Sequence, residues 1–261
     1  MRSNTISTGA LVALAVLLVA GISFAGCSTA QVDGETLYIT GGYGPLIRGV
    51  YDGSVTVADL KKHGDFATGT FSGIDGELIA LNGKYYQIGA QGKINPVDDT
   101  WTTPNCSATF FKPDKIITVS KSLDWPEFQS YLNGQLPTPN IFYAMKVTGK
   151  FDWIKARSLT KLTKPYPSTP YSTITANEPT FEFNNVESTL VIFVSPNYTS
   201  ELIYPGYHAH FINSDGKYGG HVLDFRITGG RVEVAGLPNF TVNLPQSSEF
   251  YKADFSKGIN N

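Results

Sequence analysis

Most apolar residues of this chain fall into short runs separated by glycine, asparagine, aspartate or proline. Three consecutive runs are 69–73, 77–81 and 85–88. The dipeptides Asp75-Gly76 and Asn82-Gly83 separate them, and both favour tight hairpins because these residue types accept positive φ angles. The pattern predicts an antiparallel meander, in a folded part that begins near Leu37.

The rest of the chain predicts more strands and two helices. The further strands are expected at 108–111, 116–119, 141–157 (two runs about Gly149), 180–183, 188–195, 231–234 and 240–244. Thr56 and Asp59 resemble a capping box for a short helix that ends at His63, and Asp124 with Glu127 caps a second helix through Leu132. The turn-rich segment 134–140 then predicts a junction between two closely packed halves.

The first residues carry one positive charge and precede an apolar run, 10–20, which is typical of a secretory signal. Small residues immediately before Cys27 resemble a lipobox, with Phe24 in place of the usual leucine. We therefore expect a signal peptide at 1–26, lipid attached to Cys27, a tether at 27–36 and one domain at 37–261. An uncleaved membrane anchor and signal cleavage without lipid are alternatives. All three place the domain outside the cytoplasm, and the first two hold it at the outer face of the cell membrane.

The composition argues against some functions and favours a β-rich fold. The net charge is −2, from 20 basic and 22 acidic residues that are interspersed, which argues against a nucleic-acid partner. The aromatic content of 13% and the 26 glycines are typical of a β-rich protein with many turns. Only two cysteines are present, so lipidation of Cys27 would leave Cys106 without a disulfide partner.

Three of the four histidines lie within fourteen residues of one another: His208, His210 and His221. Because side chains alternate along a strand, His208 and His210 point the same way, with backbones about 6.6 Å apart. Asp215-Gly216 predicts a hairpin that returns His221 to them. Three imidazoles with open coordination positions are typical of a catalytic zinc site. A polar outer strand face is the alternative for a His-x-His pair, and His63 is expected to be a solvated or capping residue.

Several ordered blocks resemble the α-acetolactate decarboxylase family. These blocks are 69–87, 155–158, 164–167, 205–211 and 219–225. Together they extend the resemblance from about Tyr51 to Asp254, which is nearly the whole predicted domain.

The resemblance implies an α/β fold of the α+β type, in which two halves of mixed or antiparallel β-sheet with a few short helices pack closely, usually as a homodimer. It implies decarboxylation of 2-acetolactate to acetoin and carbon dioxide, with zinc chelating the ketone and hydroxyl oxygens and stabilising an enediolate. It also implies that the three histidines bind this zinc and that Thr70, Glu77 and Arg157 complete the pocket.

The residue types suggest roles for the three pocket residues. Arg157 is expected to hold the substrate carboxylate or the developing enediolate. Glu77 is expected to manage protons, including the stereospecific protonation that forms acetoin, and Thr70 to orient its neighbours by hydrogen bonding. The family usually carries a further pocket glutamate on a C-terminal tail, whereas this sequence has no glutamate after Glu249.

Two other classes of protein share parts of this pattern. A cupin-like metal protein also uses His-x-His on a strand, but it expects a glutamate shortly afterwards where this chain has Asp215. A non-catalytic exported lipoprotein could use the same scaffold to bind zinc or a small hydroxy acid. Metal-dependent turnover separates the enzyme from the binding protein.

Overall fold

A computed structural model describes residues 34–259, and β-strands are their commonest secondary structure. The strands are β1 (Thr36–Thr40), β2 (Val55–Thr56), β3 (Phe66–Thr70), β4 (Glu77–Leu81), β5 (Lys84–Ile88), β6 (Ile94–Pro96), β7 (Thr102–Thr103), β8 (Asn105–Thr109), β9 (Lys115–Val119), β10 (Leu123–Asp124), β11 (Phe142–Arg157), β12 (Thr180–Ser195), β13 (Gly206–Asn213), β14 (Gly219–Leu237) and β15 (Asn239–Asn243). The helices are α1 (Tyr43–Ile47), α2 (Val57–Leu60), α3 (Trp125–Asn133), α4 (Tyr171–Ala176) and α5 (Ser248–Lys252).

Two large sheets carry the fold. The first has seven strands in the order β15-β1-β8-β3-β4-β5-β6, and it is mixed because β1 and β15 run parallel. The second has the order β10-β14-β11-β12-β13, with β9 also paired to β14. This architecture confirms the predicted fold class.

The sheets face each other across a shared apolar core, and each sheet carries a further apolar core on its outer face. Ile79 and Phe66 of the first sheet meet Val191 and Phe193 of the second. Leu60 of α2 packs with the outer face of the first sheet, and Phe128 of α3 packs with that of the second. Because side chains alternate along each strand, one face of each sheet supplies the shared inner core.

The predicted capping residues are confirmed. The side chain of Thr56 accepts a hydrogen bond from the Asp59 backbone, and Asp124 and Glu127 form a capping box at the start of α3. The segment 134–140 lies between α3 and β11, and strands from both sides of it enter both sheets.

The prediction of two runs about Gly149 was wrong, because β11 passes through this residue without a break. A Cβ atom on Gly149 would lie 2.7 Å from the Gly229 carbonyl oxygen and 3.3 Å from the Gly230 Cα. The glycine therefore permits a close approach of two strands beside a register shift at Lys150 and Phe151, and it does not end a strand. The runs 180–183 and 188–195 likewise form one strand, β12.

The predicted signal peptide, Cys27 and most of the tether fall on residues 1–33, outside the described residues. Strand β1 begins at Thr36, one residue before the expected start of the domain. Among residues 34–259, no helix has the length and apolar character needed to cross a membrane.

Candidate active site

The three clustered histidines lie on the β13–β14 hairpin, as the sequence predicted. His208 and His210 are on β13, and His221 of β14 pairs directly with His210. One ring nitrogen from each lies within 4.8 Å of the others. The side chain of Asn213 accepts hydrogen bonds from the backbone of Lys217 and Tyr218, which closes the turn and fixes this register.

The surroundings of His210 orient its ring. Its Nδ1 lies 2.9 Å from the carbonyl oxygen of Leu78, so Nδ1 must carry the proton that is donated. The lone pair is then on Nε2, which is buried and has no hydrogen-bond partner in the described part of the chain. A buried polar atom without a partner is unfavourable unless something else binds it. The donor set and this free atom fit a metal ion.

The other two histidines share the same neutral state. Nδ1 of His208 lies 3.3 Å from Oγ1 of Thr68, a second contact from the first sheet. Burial, and then the charge of Arg157, lowers the pKa of His208 to about 4. Burial and the neighbouring histidines hold the pKa values of His210 and His221 well below the usual value. Neutral imidazoles are the form that binds metal.

Glu77 faces the histidines from the first sheet. Its Oε2 lies 3.5 Å from Nε2 of His210, and its side chain is 5% exposed. Burial raises the pKa of Glu77 to about 8, against the lowering effect of Arg157. Glu77 pairs across the β3–β4 hairpin with Thr70, whose Oγ1 donates to the Gly76 carbonyl at 2.7 Å. A carboxyl group in this state can both give and take a proton near neutral pH.

Arg157 supplies a positive charge beside the histidines. It pairs with His221 on β14, and its Nη1 donates to the Thr175 carbonyl at 2.9 Å. Its Nε is buried and has no hydrogen-bond partner among the described residues. A fixed guanidinium with a free donor is well suited to bind a carboxylate.

These groups surround a cavity of about 230 Å³. It is lined by Tyr43, Leu46, Gly69, Thr70, Glu77, Asn105, Ser107, Arg157, Tyr171, Ser172, Thr175, Ile203, Tyr204, His208 and His221. The structure thus brings all six predicted site residues together, five in the wall and His210 directly behind it. Polar atoms from both sheets line the cavity. Among the described residues, Glu77 is the only one that contributes a carboxylate to the wall.

Sequence reasoning missed several cavity residues. Asn105 begins a glycosylation sequon, which gives no hint of a cavity, yet it pairs with Thr70 and so lies in one row with Thr70 and Glu77. No hydrogen bond occupies its carboxamide within residues 34–259. Alternation along β8 could have suggested a polar face at Asn105 and Ser107, but not which strand lies beside it. Tyr171 is the first residue of α4 and follows a proline-rich stretch that carries no periodic signal.

Comparison with known proteins agrees with this site. The family profile described as Alpha-acetolactate decarboxylase matches residues 37–257. The chain is 40% identical over 225 residues to the alpha-acetolactate decarboxylase of Methanosarcina mazei, covering 86% of this chain and 77% of that protein. It is 39% identical over 214 residues to that of Methylococcus capsulatus, covering 82% of each.

The fold comparison gives the same result. The crystal structure of alpha-acetolactate decarboxylase from Bacillus subtilis strain 168 matches with a TM-score of 0.82 and 33% identity. The match covers 85% of this chain and 94% of that one. In profile, sequence and fold alike, the chain belongs to the alpha-acetolactate decarboxylase family of enzymes.

Proposed function

We propose that this enzyme decarboxylates 2-acetolactate to acetoin and carbon dioxide with a zinc ion held by His208, His210 and His221. Family membership supports decarboxylation of acetolactate, and the zinc ion is the proposed part. The observation that carries it is the buried Nε2 of His210, which has no hydrogen-bond partner among the described residues, on a histidine that contributes one ring nitrogen to a cluster in which the three ligand nitrogens lie within 4.8 Å of one another. Three nitrogen ligands with open positions are typical of catalytic zinc.

When bound, zinc supplies a Lewis acid that polarises substrate oxygens. Arg157 binds the substrate carboxylate through its free Nε, while the Thr175 carbonyl holds the other side of the guanidinium. This places the carbon–carbon bond that breaks between a fixed positive charge and the histidine cluster. Loss of carbon dioxide leaves the electron pair on the former ketone as an enediolate.

Glu77 manages the proton that completes the reaction. Its carboxyl group approaches the histidine cluster from the first sheet, whereas Arg157 belongs to the second, so Glu77 would reach the substrate from the first-sheet side. Protonation of the enediolate carbon from a single side gives one configuration of acetoin. Thr70 holds the β3–β4 turn through its bond to Gly76 and thereby positions Glu77.

The test uses a soluble form that begins at Ser28, divided into zinc-loaded and chelator-stripped samples. Each is mixed with racemic 2-acetolactate, and acetoin is measured above the spontaneous rate. His221→Ala should lose both bound zinc and turnover. His63→Ala is the matched control, because His63 stacks on Tyr38 at 3.9 Å outside the cluster and should keep both. Folded, zinc-loaded protein without turnover would overturn the proposal and favour a binding lipoprotein.

Export, lipidation and dimerisation are also proposals. The signal-like segment 1–26 and the lipobox before Cys27 support anchoring at the outer face of the cell membrane. Growth with labelled palmitate should label the full chain, and Cys27→Ala should abolish the label.

Light scattering on the soluble form should give twice the monomer mass, and a monomer at micromolar concentration would refute the dimer.

A further inference from the structure

The C-terminal segment, residues 254–259, is held by a single arginine near the start of the domain. Nε of Arg48 donates to the Asp254 carbonyl at 3.0 Å, and Nη2 donates to the Lys257 carbonyl. The guanidinium carbon lies 5.0 Å from the centre of the Phe255 ring, within cation–π range. One side chain therefore contacts this segment at three positions.

Glu201 completes the attachment. Its carboxylate accepts from Nη1 of Arg48 at 2.9 Å and from the backbone N–H of Ile259 at 2.9 Å. Nη1 of Arg48 also donates to the Gly44 carbonyl at 3.0 Å. The Arg48 side chain is only 16% exposed, so these charge-assisted bonds are partly shielded from water.

Gly44 shows how closely this group is packed. A Cβ atom at this position would lie 2.0 Å from Oε2 of Glu201 and 3.1 Å from Nη1 of Arg48. The glycine therefore leaves room for the ion pair. It belongs to α1, whose Tyr43 and Leu46 line the cavity, so the segment is tied to an element of the cavity wall.

The far end of the segment lines a chamber that lies next to the cavity. Ile259 lines an outer chamber of about 430 Å³. This chamber shares Tyr43, Tyr171, Ser172 and Tyr204 with the wall of the inner cavity. A ligand that passes through the outer chamber to the histidines must pass the anchored segment.

We propose that the outer chamber is the entrance to the cavity, that Arg48 and Glu201 anchor residues 254–259 at it, and that the anchored segment limits access to the histidine cluster. Arg48 is a positioning residue, since it acts through the segment and not on the substrate. The effect on turnover rests on the proposed function, whereas the anchoring and the access do not.

Trypsin measures the anchoring directly, because Arg48 binds the carbonyl of the Lys257–Gly258 peptide bond. Cleavage there releases residues 258–261 and is followed by intact mass. Arg48→Met keeps an unbranched apolar stem and removes every donor, so we expect cleavage about ten-fold faster, as the open form becomes more populated. Lys150→Met is the matched control, because it breaks the exposed pair of Lys150 with Glu187 and should leave the rate unchanged.

Access is measured in metal-free protein with diethyl pyrocarbonate, which modifies neutral histidines. His208 and His221 line the cavity, while His63 is exposed elsewhere and serves as an internal reference. Peptide mass mapping should show Arg48→Met modified several-fold faster at the cavity histidines relative to His63. Ile259→Gly should raise the modification rate of the cavity histidines by the same factor, because it removes the side chain that lines the outer chamber. Its rate of trypsin cleavage should stay normal, because the anchor formed by Arg48 and Glu201 remains.

Each outcome decides the proposal. Faster cleavage together with faster modification supports it. Faster cleavage with an unchanged modification ratio shows a segment that is anchored but does not limit access, which overturns the proposal. An unchanged cleavage rate in Arg48→Met overturns the anchor itself. Neither measurement requires turnover, so a failure of the decarboxylase proposal would be seen separately, in the acetoin assay of the unmodified chain.

Discussion

Replacing Thr68 by valine should weaken zinc binding without disturbing the fold. Thr68 is buried, and its Oγ1 contacts Nδ1 of His208 at 3.3 Å. Valine has the same shape and suits a strand, but it cannot hydrogen-bond the ring. Loss of a partner that orients a metal-binding histidine typically reduces metal affinity about 10- to 100-fold.

The geometry places the expected effect at the lower end of this range. A contact of 3.3 Å is longer than the usual distance for a hydroxyl partner, and His210 and His221 keep their own surroundings. We expect the dissociation constant for zinc to rise about ten-fold, which is about 1.4 kcal/mol. The assay is competition with a chromophoric chelator at fixed pH and salt.

Thr109→Val is the matched control. Thr109 is equally buried in the same sheet and donates to the Thr36 carbonyl at 2.9 Å, away from the cavity. It should lower the free energy of unfolding by about 1 kcal/mol and leave zinc affinity unchanged. A Thr68→Val protein whose zinc affinity stays within two-fold of the original would refute the idea that Thr68 orients His208. An equal loss of affinity in Thr109→Val would point to a general effect on the fold.

Three further substitutions test the cavity wall. Glu77→Gln should bind zinc normally but lower kcat about 10²- to 10⁴-fold, because it removes the group that transfers the proton; full activity would remove Glu77 from the mechanism. Arg157→Lys keeps the charge but loses the planar fork, so KM for 2-acetolactate should rise about ten-fold; an unchanged KM would exclude carboxylate binding by the fork. Asn105→Leu should lower kcat/KM several-fold if its free carboxamide contacts substrate, with Asn184→Leu on an exposed strand position as the control.

The sequence was most informative where the functional residues are close together in the chain. The two-residue spacing of His208 and His210 and the turn at Asp215-Gly216 were sufficient to predict that His221 joins them. The same local logic placed Thr70 and Glu77 on either side of one hairpin. In each case a turn type and the alternation of strand side chains determine the geometry.

Contacts between distant segments could not be predicted in this way. The bond from His210 to Leu78 spans 132 positions, and that from Arg48 to Lys257 spans 209. Each depends on how one element packs against another, which alternation within a strand does not encode. An isolated strand carboxylate is usually solvent-exposed, so strand alternation alone does not predict the burial of Glu77, which the family resemblance did imply.

The hairpin between β13 and β14 has a consequence for how chain length can vary among related proteins. A one-residue insertion between His208 and His210 would turn one imidazole to the opposite face, and an insertion within β14 before His221 would break its pairing with His210. The tip of the turn has more room, since a Cβ atom at Gly216 would have no neighbouring atom within 4 Å, although the positive φ of this residue favours glycine in a turn of the present length. Insertions and deletions in this part of the family should therefore be concentrated at 214–217 and absent from the strands on either side.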